Sequence, residues 1–95
     1  GGTMRHFLIH DEKDNVGVAV VDIEPGQELA GFAMDSGASL KVKSLQPIPL
    51  GHKIALKEFK VGDTVVKYGE DIGKVVANIR AGEHVHVHNL KTKRW

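Results

Sequence analysis

Three of the six histidines lie within five residues near the end of the chain, at His84, His86 and His88. If the segment 83–89 is a strand, alternate residues share a face, so all three imidazoles point the same way. Neighbouring histidines then have Cα atoms about 6.6 Å apart, close enough for two of them to chelate one metal ion. His84 and His88 are about 13 Å apart on an unbent strand, so all three cannot bind one ion there.

Two interpretations of this histidine strand remain open. In the first, the strand forms a metal or acid–base site, because histidine is the side chain that titrates near neutral pH. In the second, the histidines form a solvated polar face opposite a core face made by Val85 and Val87. Both interpretations predict that the two valines are buried and that the imidazoles lie on the more accessible face.

Two other segments carry residue types suited to chemistry. His52 follows a Pro-Leu-Gly turn, and Lys53 beside it supplies a cation able to hold a carboxylate. A surface histidine next to a solvated lysine explains the same spacing equally well. Asp14 and Asn15 follow His10 and offer oxygens to a cation, although such a turn is more often only a hydrophilic hairpin.

The composition excludes several classes of protein. The chain has 95 residues, which suits one domain with one modest core. Thirteen basic residues balance twelve acidic ones, whereas a nucleic-acid-binding domain normally has a basic excess. Cysteine is absent, which excludes thiolate chemistry and disulfides. No apolar run approaches the roughly 18 residues of a membrane span, so we expect a cytoplasmic protein with no nucleic-acid or membrane partner.

Short β-branched segments separated by glycine turns predict a mainly β domain spanning residues 4–95. Gly1–Thr3 precede Met4 and are interpreted as a remnant of tag removal. No window of helical length keeps an apolar period of 3.6 residues. The predicted strands cover residues 5–10, 16–21, 40–43, 52–56, 64–68, 72–79 and 83–89, and the segment 68–73 is a tight hairpin connection.

One eight-residue pattern occurs three times, at 22–29, 58–65 and 78–85. Each copy reads polar, apolar, charged, any, Gly, polar, any, apolar. Such a pattern indicates a turn whose glycine has a positive φ, followed by an apolar residue that enters a new strand. Three copies predict a sheet that folds back on itself at three similar corners.

The segments 14–19 (DNVGVA), 48–56 (IPLGHKIAL), 68–73 and 82–89 (GEHVHVHN) together resemble the N-terminal SAF-type domain of the altronate and galactarate dehydratase family. The similarity covers the chain from Met4 onward and implies a small β-clip fold. In that family the domain precedes a much larger catalytic region, whereas this chain ends at Trp95. The resemblance therefore implies a small subunit with a separate large catalytic subunit. The residues 88–95 and the long segment 31–46 resemble the members that release sulfite.

The family's chemistry is β-elimination from small hydroxy acids, in which a base removes the proton α to a carboxylate. The resemblance implies iron or another divalent metal as cofactor. It suggests His52 and His86 as catalytic proton carriers, and His86 and His88 as metal ligands. It also suggests that Lys53 binds a substrate carboxylate or sulfonate.

Three alternatives remain at this stage. The chain is a small subunit or domain of a sugar-acid dehydratase of the same family, a non-catalytic module that binds a ligand or partner, or a metal-carrying protein.

Overall fold

The computed structural model describes residues 5–11, 13–67, 69–86 and 88–92, which form nine short strands and no helix. The strands are β1 (Phe7–Ile9), β2 (Val16–Ala19), β3 (Glu28–Ala33), β4 (Ser39–Lys43), β5 (Lys53–Ala55), β6 (Thr64–Lys67), β7 (Glu70–Val75), β8 (His84–Val85) and β9 (Leu90–Thr92). They form a six-stranded sheet in the order β4-β3-β1-β2-β5-β8 and a three-stranded sheet in the order β6-β7-β9. The predicted all-β fold is confirmed. In the described ranges, no helix is long and apolar enough to span a membrane.

Phe7 fills the centre of the larger sheet, where β1 pairs with β2 on one side and with β3 on the other. Its fully buried ring lies against Gly17 and Gly31 on those neighbouring strands. A Cβ at Gly31 would lie 2.1 Å from Cε2 of the ring, and a Cβ at Gly17 would lie 2.5 Å from Cδ2. The strands can therefore enclose the ring only because both neighbours lack side chains.

Two hydrophobic cores share β2 and β5 as a common wall. Ala19 and Ile54 belong to the first core, which also contains Phe7. Val16 and Ala55 belong to the second core. Since successive residues of a strand point to opposite faces, β2 and β5 are buried from both sides.

The three predicted glycine corners are confirmed, and a fourth joins them. Each corner begins with a buried apolar residue and has a glycine three positions later. A second buried apolar residue follows three positions after the glycine. The corners are Ile23/Gly26/Leu29, Ile48/Gly51/Ile54, Phe59/Gly62/Val65 and Ile79/Gly82/Val85. Their glycines have φ values of 83, 87, 94 and 91 degrees, a region that disfavours residues with a Cβ.

The corners meet in pairs, one pair in each core. Ile23 and Ile48 exchange two backbone hydrogen bonds of 2.9 Å, and Phe59 and Ile79 exchange two of 2.8 and 2.9 Å. The same pair of reciprocal backbone hydrogen bonds therefore closes each core.

Several details of the predicted strand boundaries are wrong. The segment 83–89 is a strand only at β8, because the chain turns after Val85, where Asn89 takes up the backbone groups of His86. The predicted strand 72–79 ends at Val75. β9 lies in a segment for which no strand was predicted, and β3 was indicated only by the corner pattern at 22–29, which predicts a new strand at its last residue. Val85 is fully buried, as predicted, whereas Val87 lies outside the described residues.

A tight hairpin between β6 and β7 is confirmed, with Gly69 at a φ of 72 degrees, but it is shorter than the predicted segment 68–73, because Lys67 pairs with Glu70 and residues 70–73 belong to β7. Tyr68, residues 1–4 and residues 93–95 lie outside the described residues, so the predicted domain limits stay predictions.

Candidate functional site

The pairing of β5 with β8 brings three histidines together on one face of the larger sheet. In this antiparallel pair Ile54 lies opposite His84. Two residues further along the same register, His52 comes opposite His86. Because alternate residues of a strand share a face, His52, His84 and His86 all lie on the face that carries Ile54.

The rings of the three histidines form a close, half-exposed cluster. The centroids of the His52 and His86 rings are 4.3 Å apart in a stacked arrangement. Those of His52 and His84 are 5.0 Å apart, and those of His84 and His86 are 5.5 Å apart. Nδ1 of His52 and Nε2 of His84 are 2.8 Å apart, so one of these nitrogens donates a hydrogen bond to the other.

At three of the four corners, the side chain of the residue after the glycine binds a backbone N–H. The corner of His52 lacks this N–H, so the imidazole can make other contacts. In those corners the residue after the glycine accepts a hydrogen bond from an amide three positions earlier. The bonds run from Glu24 N to Gln27 Oε1 (2.9 Å), Lys60 N to Asp63 Oδ2 (2.8 Å) and Arg80 N to Glu83 Oε1 (2.5 Å). In the fourth corner the amide position is Pro49, which has no N–H. His52 occupies the accepting position with no amide to bind, and its ring instead contacts the other histidines.

The backbone of the other two histidines is fixed by side chains from outside the strand. Gln46 Oε1 accepts a hydrogen bond of 3.0 Å from the His84 amide. Asn89 Oδ1 accepts one of 2.9 Å from the His86 amide, and Asn89 Nδ2 donates one of 2.7 Å to the His84 carbonyl. The turn that follows also brings the exposed ring of His88 to 5.2 Å from that of His84, far closer than an unbent strand allows.

Two imidazoles of the cluster, those of His84 and His86, are favoured in the neutral form. The pKa of His84 is lowered from 6.5 to about 4, first by burial and then by the nearby His52, His88, His86 and Lys53. The pKa of His86 is also lowered, first by burial and then by His52. A neutral imidazole has the free lone pair that a metal ligand or a general base requires, so both rings are ready for either role at neutral pH.

Lys53 adds a cation beside the cluster. Its side chain is half-buried at the start of β5, and its charge contributes to the lowered pKa of His84 and of His86. Burial lowers the pKa of Lys53 itself, and the nearby charge of Lys67 lowers it further. Because Lys53 lies between His52 and Ile54, its Cβ starts from the opposite face of β5, but its positive charge reaches the imidazoles of His84 and His86 and would favour an anionic ligand beside them.

The donor set of the cluster fits a divalent transition metal. One ligand nitrogen from each of His52, His84 and His86 lies within 4.8 Å of the other two. Two nitrogens bound tetrahedrally to one ion at 2.0–2.1 Å are about 3.3 Å apart, so small side-chain rotations would suffice. Imidazole nitrogens suit zinc, iron, copper and nickel, and half exposure leaves room for a further ligand.

The structure brings three of the four predicted site residues together and leaves His88 at the edge of the cluster. His52 and His86 lie side by side, with Lys53 adjacent to them. His84, which the histidine strand includes but to which the family resemblance assigned no role, joins them as a third potential ligand. His88 lies exposed beside His84 and outside the group of three, so its role as a ligand stays a prediction. The alternation of histidines already places His84 and His86 on one face, but only the pairing of β5 with β8 brings His52 to them.

Asp14 and Asn15, the other candidates for binding a cation, bind the backbone instead. Asp14 Oδ2 accepts hydrogen bonds from the amides of His10 (3.1 Å) and Asp11 (3.2 Å), and Asp14 Oδ1 accepts one of 2.8 Å from the amide of Gly69. Asn15 holds two backbone groups of β6. The interpretation of this segment as a hydrophilic hairpin is therefore the better one.

The amino-acid sequence of the chain is similar to those of known proteins. Residues 5–93 match the altronate/galactarate dehydratase SAF domain. The chain is 52% identical over 90 residues to the (2R)-sulfolactate sulfo-lyase subunit alpha of Chromohalobacter salexigens, covering 94% of this chain and 96% of that protein. It is 67% identical over 48 residues to the subunit of the same name from Paracoccus pantotrophus, covering 50% of this chain and 72% of that protein.

Longer proteins are also similar to the chain. It is 44% identical over 89 residues to the altronate dehydratase of Bacillus subtilis, but it covers only 17% of that protein's length. The altronate dehydratase of Escherichia coli is 40% identical, also with 17% covered. In these relatives most of the polypeptide therefore lies outside the matched region.

Proposed function

Because the chain belongs to the altronate/galactarate dehydratase SAF domain family, we propose that it is the small subunit of a two-subunit lyase that cleaves (2R)-sulfolactate to pyruvate and sulfite. The observation that carries this proposal is the match to nearly the whole length of a relative named as subunit alpha of that enzyme. In the altronate dehydratases, by contrast, the matched region is a minor part of a long chain.

The reaction is a β-elimination. The bond between the α carbon and its hydrogen breaks, the proton passes to a base, and the electron pair forms a carbon–carbon double bond. The carbon–sulfur bond breaks with its electron pair, which leaves on sulfite, and the resulting enol becomes pyruvate. The weakly acidic α proton makes its removal the difficult step, and a cationic environment stabilises the negative charge that develops.

The histidine cluster and Lys53 provide groups of the required types. We assign proton transfer to His52 and His86, whose neighbour His84 is kept neutral by its lowered pKa of about 4. In the alternative role His86 would be a metal ligand, either within the group of His52, His84 and His86 or paired with the predicted ligand His88. Iron is the expected ion. Such an ion would act as a Lewis acid on the substrate carboxylate. Lys53 would bind the carboxylate or the sulfonate.

The exposure of the cluster supports a role for a large partner subunit. The three rings are half-exposed on a sheet face, whereas a small substrate is normally enclosed in a pocket of about 300–1,000 Å³. We therefore expect the histidine face to form one side of a site, with a large catalytic subunit supplying the other side.

Reconstitution tests this proposal. We expect the isolated chain to produce no sulfite from sulfolactate, even with iron or manganese added, and activity to appear when the large subunit is supplied. Full activity of the isolated chain would contradict the accessory role. Absence of activity from a complex that forms stably would contradict the assigned reaction.

A second reaction deserves the same assay because the chain is 44% identical to an altronate dehydratase. Altronate and galactarate should be offered to the reconstituted complex beside sulfolactate. Release of water from a sugar acid, without release of sulfite from sulfolactate, would assign the chain to a dehydratase. Binding of these acids without turnover would indicate a non-catalytic module.

A further inference from the structure

Asn89 binds the backbone of the histidine segment. Its side chain is 7% exposed, and both of its polar atoms bind the backbone of the histidine segment. Oδ1 accepts the amide of His86, and Nδ2 donates to the carbonyl of His84. The amides of Asn89 and Leu90 also bind the His86 carbonyl, which closes the turn. One side chain thus fixes the backbone of two potential ligands at once.

The same clamp occurs a second time, away from any histidine. Asn15 Oδ1 accepts a hydrogen bond of 2.7 Å from the Val66 amide, and Asn15 Nδ2 donates one of 3.1 Å to the Thr64 carbonyl. Thr64 and Val66 occupy the positions after the Gly62 corner that His84 and His86 occupy after the Gly82 corner. The two asparagines therefore hold equivalent backbone groups, and only Asn89 holds groups that carry imidazoles.

Each clamp coincides with a break in regular strand pairing. The pairing of β6 with β7 shifts register between Val65 and Val66, where Asn15 takes the amide. β8 ends at Val85, immediately before the amide that Asn89 takes. Because Asn89 replaces a strand partner, the chain turns after Val85, and the rings of His84 and His88 approach to 5.2 Å.

From this arrangement we propose that Asn89 is a positioning residue for the histidine site, setting the separation and direction of His84 and His86 toward His52. The inference builds on the proposed function, since it assigns Asn89 to the same site. Since both polar atoms of its side chain bind backbone groups, Asn89 would act through the backbone of the two histidines and not as a ligand. Removing its side chain should therefore loosen the geometry of the cluster more than it loosens the fold.

Matched variants separate positioning from stability. The set is Asn89→Ala and Asn89→Asp, compared with Asn15→Ala and Asn15→Asp. The aspartate variants keep the Oδ1 acceptor, replace the Nδ2 donor with a second acceptor oxygen and add a negative charge, so they provide a second, different change if an alanine variant fails to fold. The added charge alone would strengthen Co²⁺ binding, so an increase in Kd in Asn89→Asp would report the lost positioning. Each purified chain is titrated with Co²⁺, followed by its visible absorption band, and unfolded with urea.

We expect the Asn89 variants to raise the Kd for Co²⁺ at least about 10-fold, as is typical when a group that orients a metal ligand is lost. The Asn15 variants should change the Kd less than about two-fold while losing a similar amount of stability. An unchanged Kd in the Asn89 variants would overturn the proposal. An equal increase in both pairs would do the same, because it would reflect general destabilisation.

A measurement without metal distinguishes failure of this inference from failure of the proposed function. Nuclear Overhauser contacts between the ring protons of His52 and His86 should be present in the wild-type chain and lost in both Asn89 variants. If the wild-type chain does not bind Co²⁺, the metal role is wrong, and these contacts alone decide the role of Asn89. Their persistence in the Asn89 variants would overturn it.

Discussion

The segment Asp14–Asn15 and the histidine cluster are two polar regions of one small domain, and their side chains bind in opposite ways. Asp14 is 7% exposed and accepts three backbone amides from two different parts of the chain. His52 and His84 are half-exposed and bind each other. A side chain that satisfies the backbone cannot leave it without loss of stability, whereas side chains that bind each other can exchange that contact for a ligand. We therefore infer that the first region serves the fold, and we propose that the second serves the function.

The strongest test of the structural half is Asp14→Ala. Loss of the carboxylate leaves the amides of His10, Asp11 and Gly69 without this acceptor, so the free energy of unfolding should fall by about 3 kcal/mol. Urea unfolding at pH 7.5 measures the change. A loss below about 1 kcal/mol would mean that water replaces the carboxylate and that the contrast between the regions is weaker than we infer.

The matching test of the functional half is His52→Ala and His86→Ala. Each should lower kcat of the reconstituted complex at least about 10²-fold, the effect expected when general acid–base help is lost. The thermal midpoint of unfolding should change little. The rings are half-exposed and, among the residues that the structure describes, their contacts are with other imidazoles and not with backbone groups. His10→Ala provides a control histidine outside the cluster. Unchanged kinetics in both cluster variants would confine the domain to a structural role.

Metal titration of two single variants then sharpens the ligand set. If the ion is held by the group of three, His84→Ala should weaken Zn²⁺ binding about 10²-fold, and His88→Ala should weaken it less. The pair predicted from the sequence, His86 and His88, requires the reverse order. Isothermal titration of the purified chains at one pH decides between the two sets.

The smallest expected effect is a dependence of stability on pH. His84 has a pKa of about 4 in the folded chain and an ordinary value near 6.5 in the unfolded chain. Between these values the unfolded chain binds a proton that the folded chain does not, so stability should fall as the pH falls from 6.5 towards 4. Urea midpoints measured in the presence of a chelator should show this fall, and His84→Asn should reduce it. An identical fall in both proteins would assign it to carboxylates instead.

Much of the fold follows from local sequence patterns. The absence of helical periodicity and the three copies of the corner pattern predicted an all-β chain with positive-φ glycines, and both predictions are confirmed. The fourth corner escaped the pattern because Pro47 and Pro49 stand where the other copies have a polar and a charged residue. Its spacing of apolar residues and glycine is nonetheless the same as in the others.

The site was less predictable because it depends on contacts between distant segments. Strand alternation predicted that the imidazoles lie opposite the buried Val85, but it also predicted a strand through residue 89. That prediction is wrong because Asn89 binds the amide of His86, a contact that no periodicity reveals. Likewise, His52 approaches His86 only through the pairing of β5 with β8, and pairing register is not encoded in either strand alone.

The proline of the fourth corner also bears on which substitutions this domain tolerates. Replacement of Gln27, Asp63 or Glu83 removes a hydrogen bond to the backbone, so only a few residue types suit those positions. Position 52 carries no such constraint, because Pro49 has no amide to satisfy. In a saturation library it should accept many residue types without loss of folding, and selection for activity alone would then determine which of them survive.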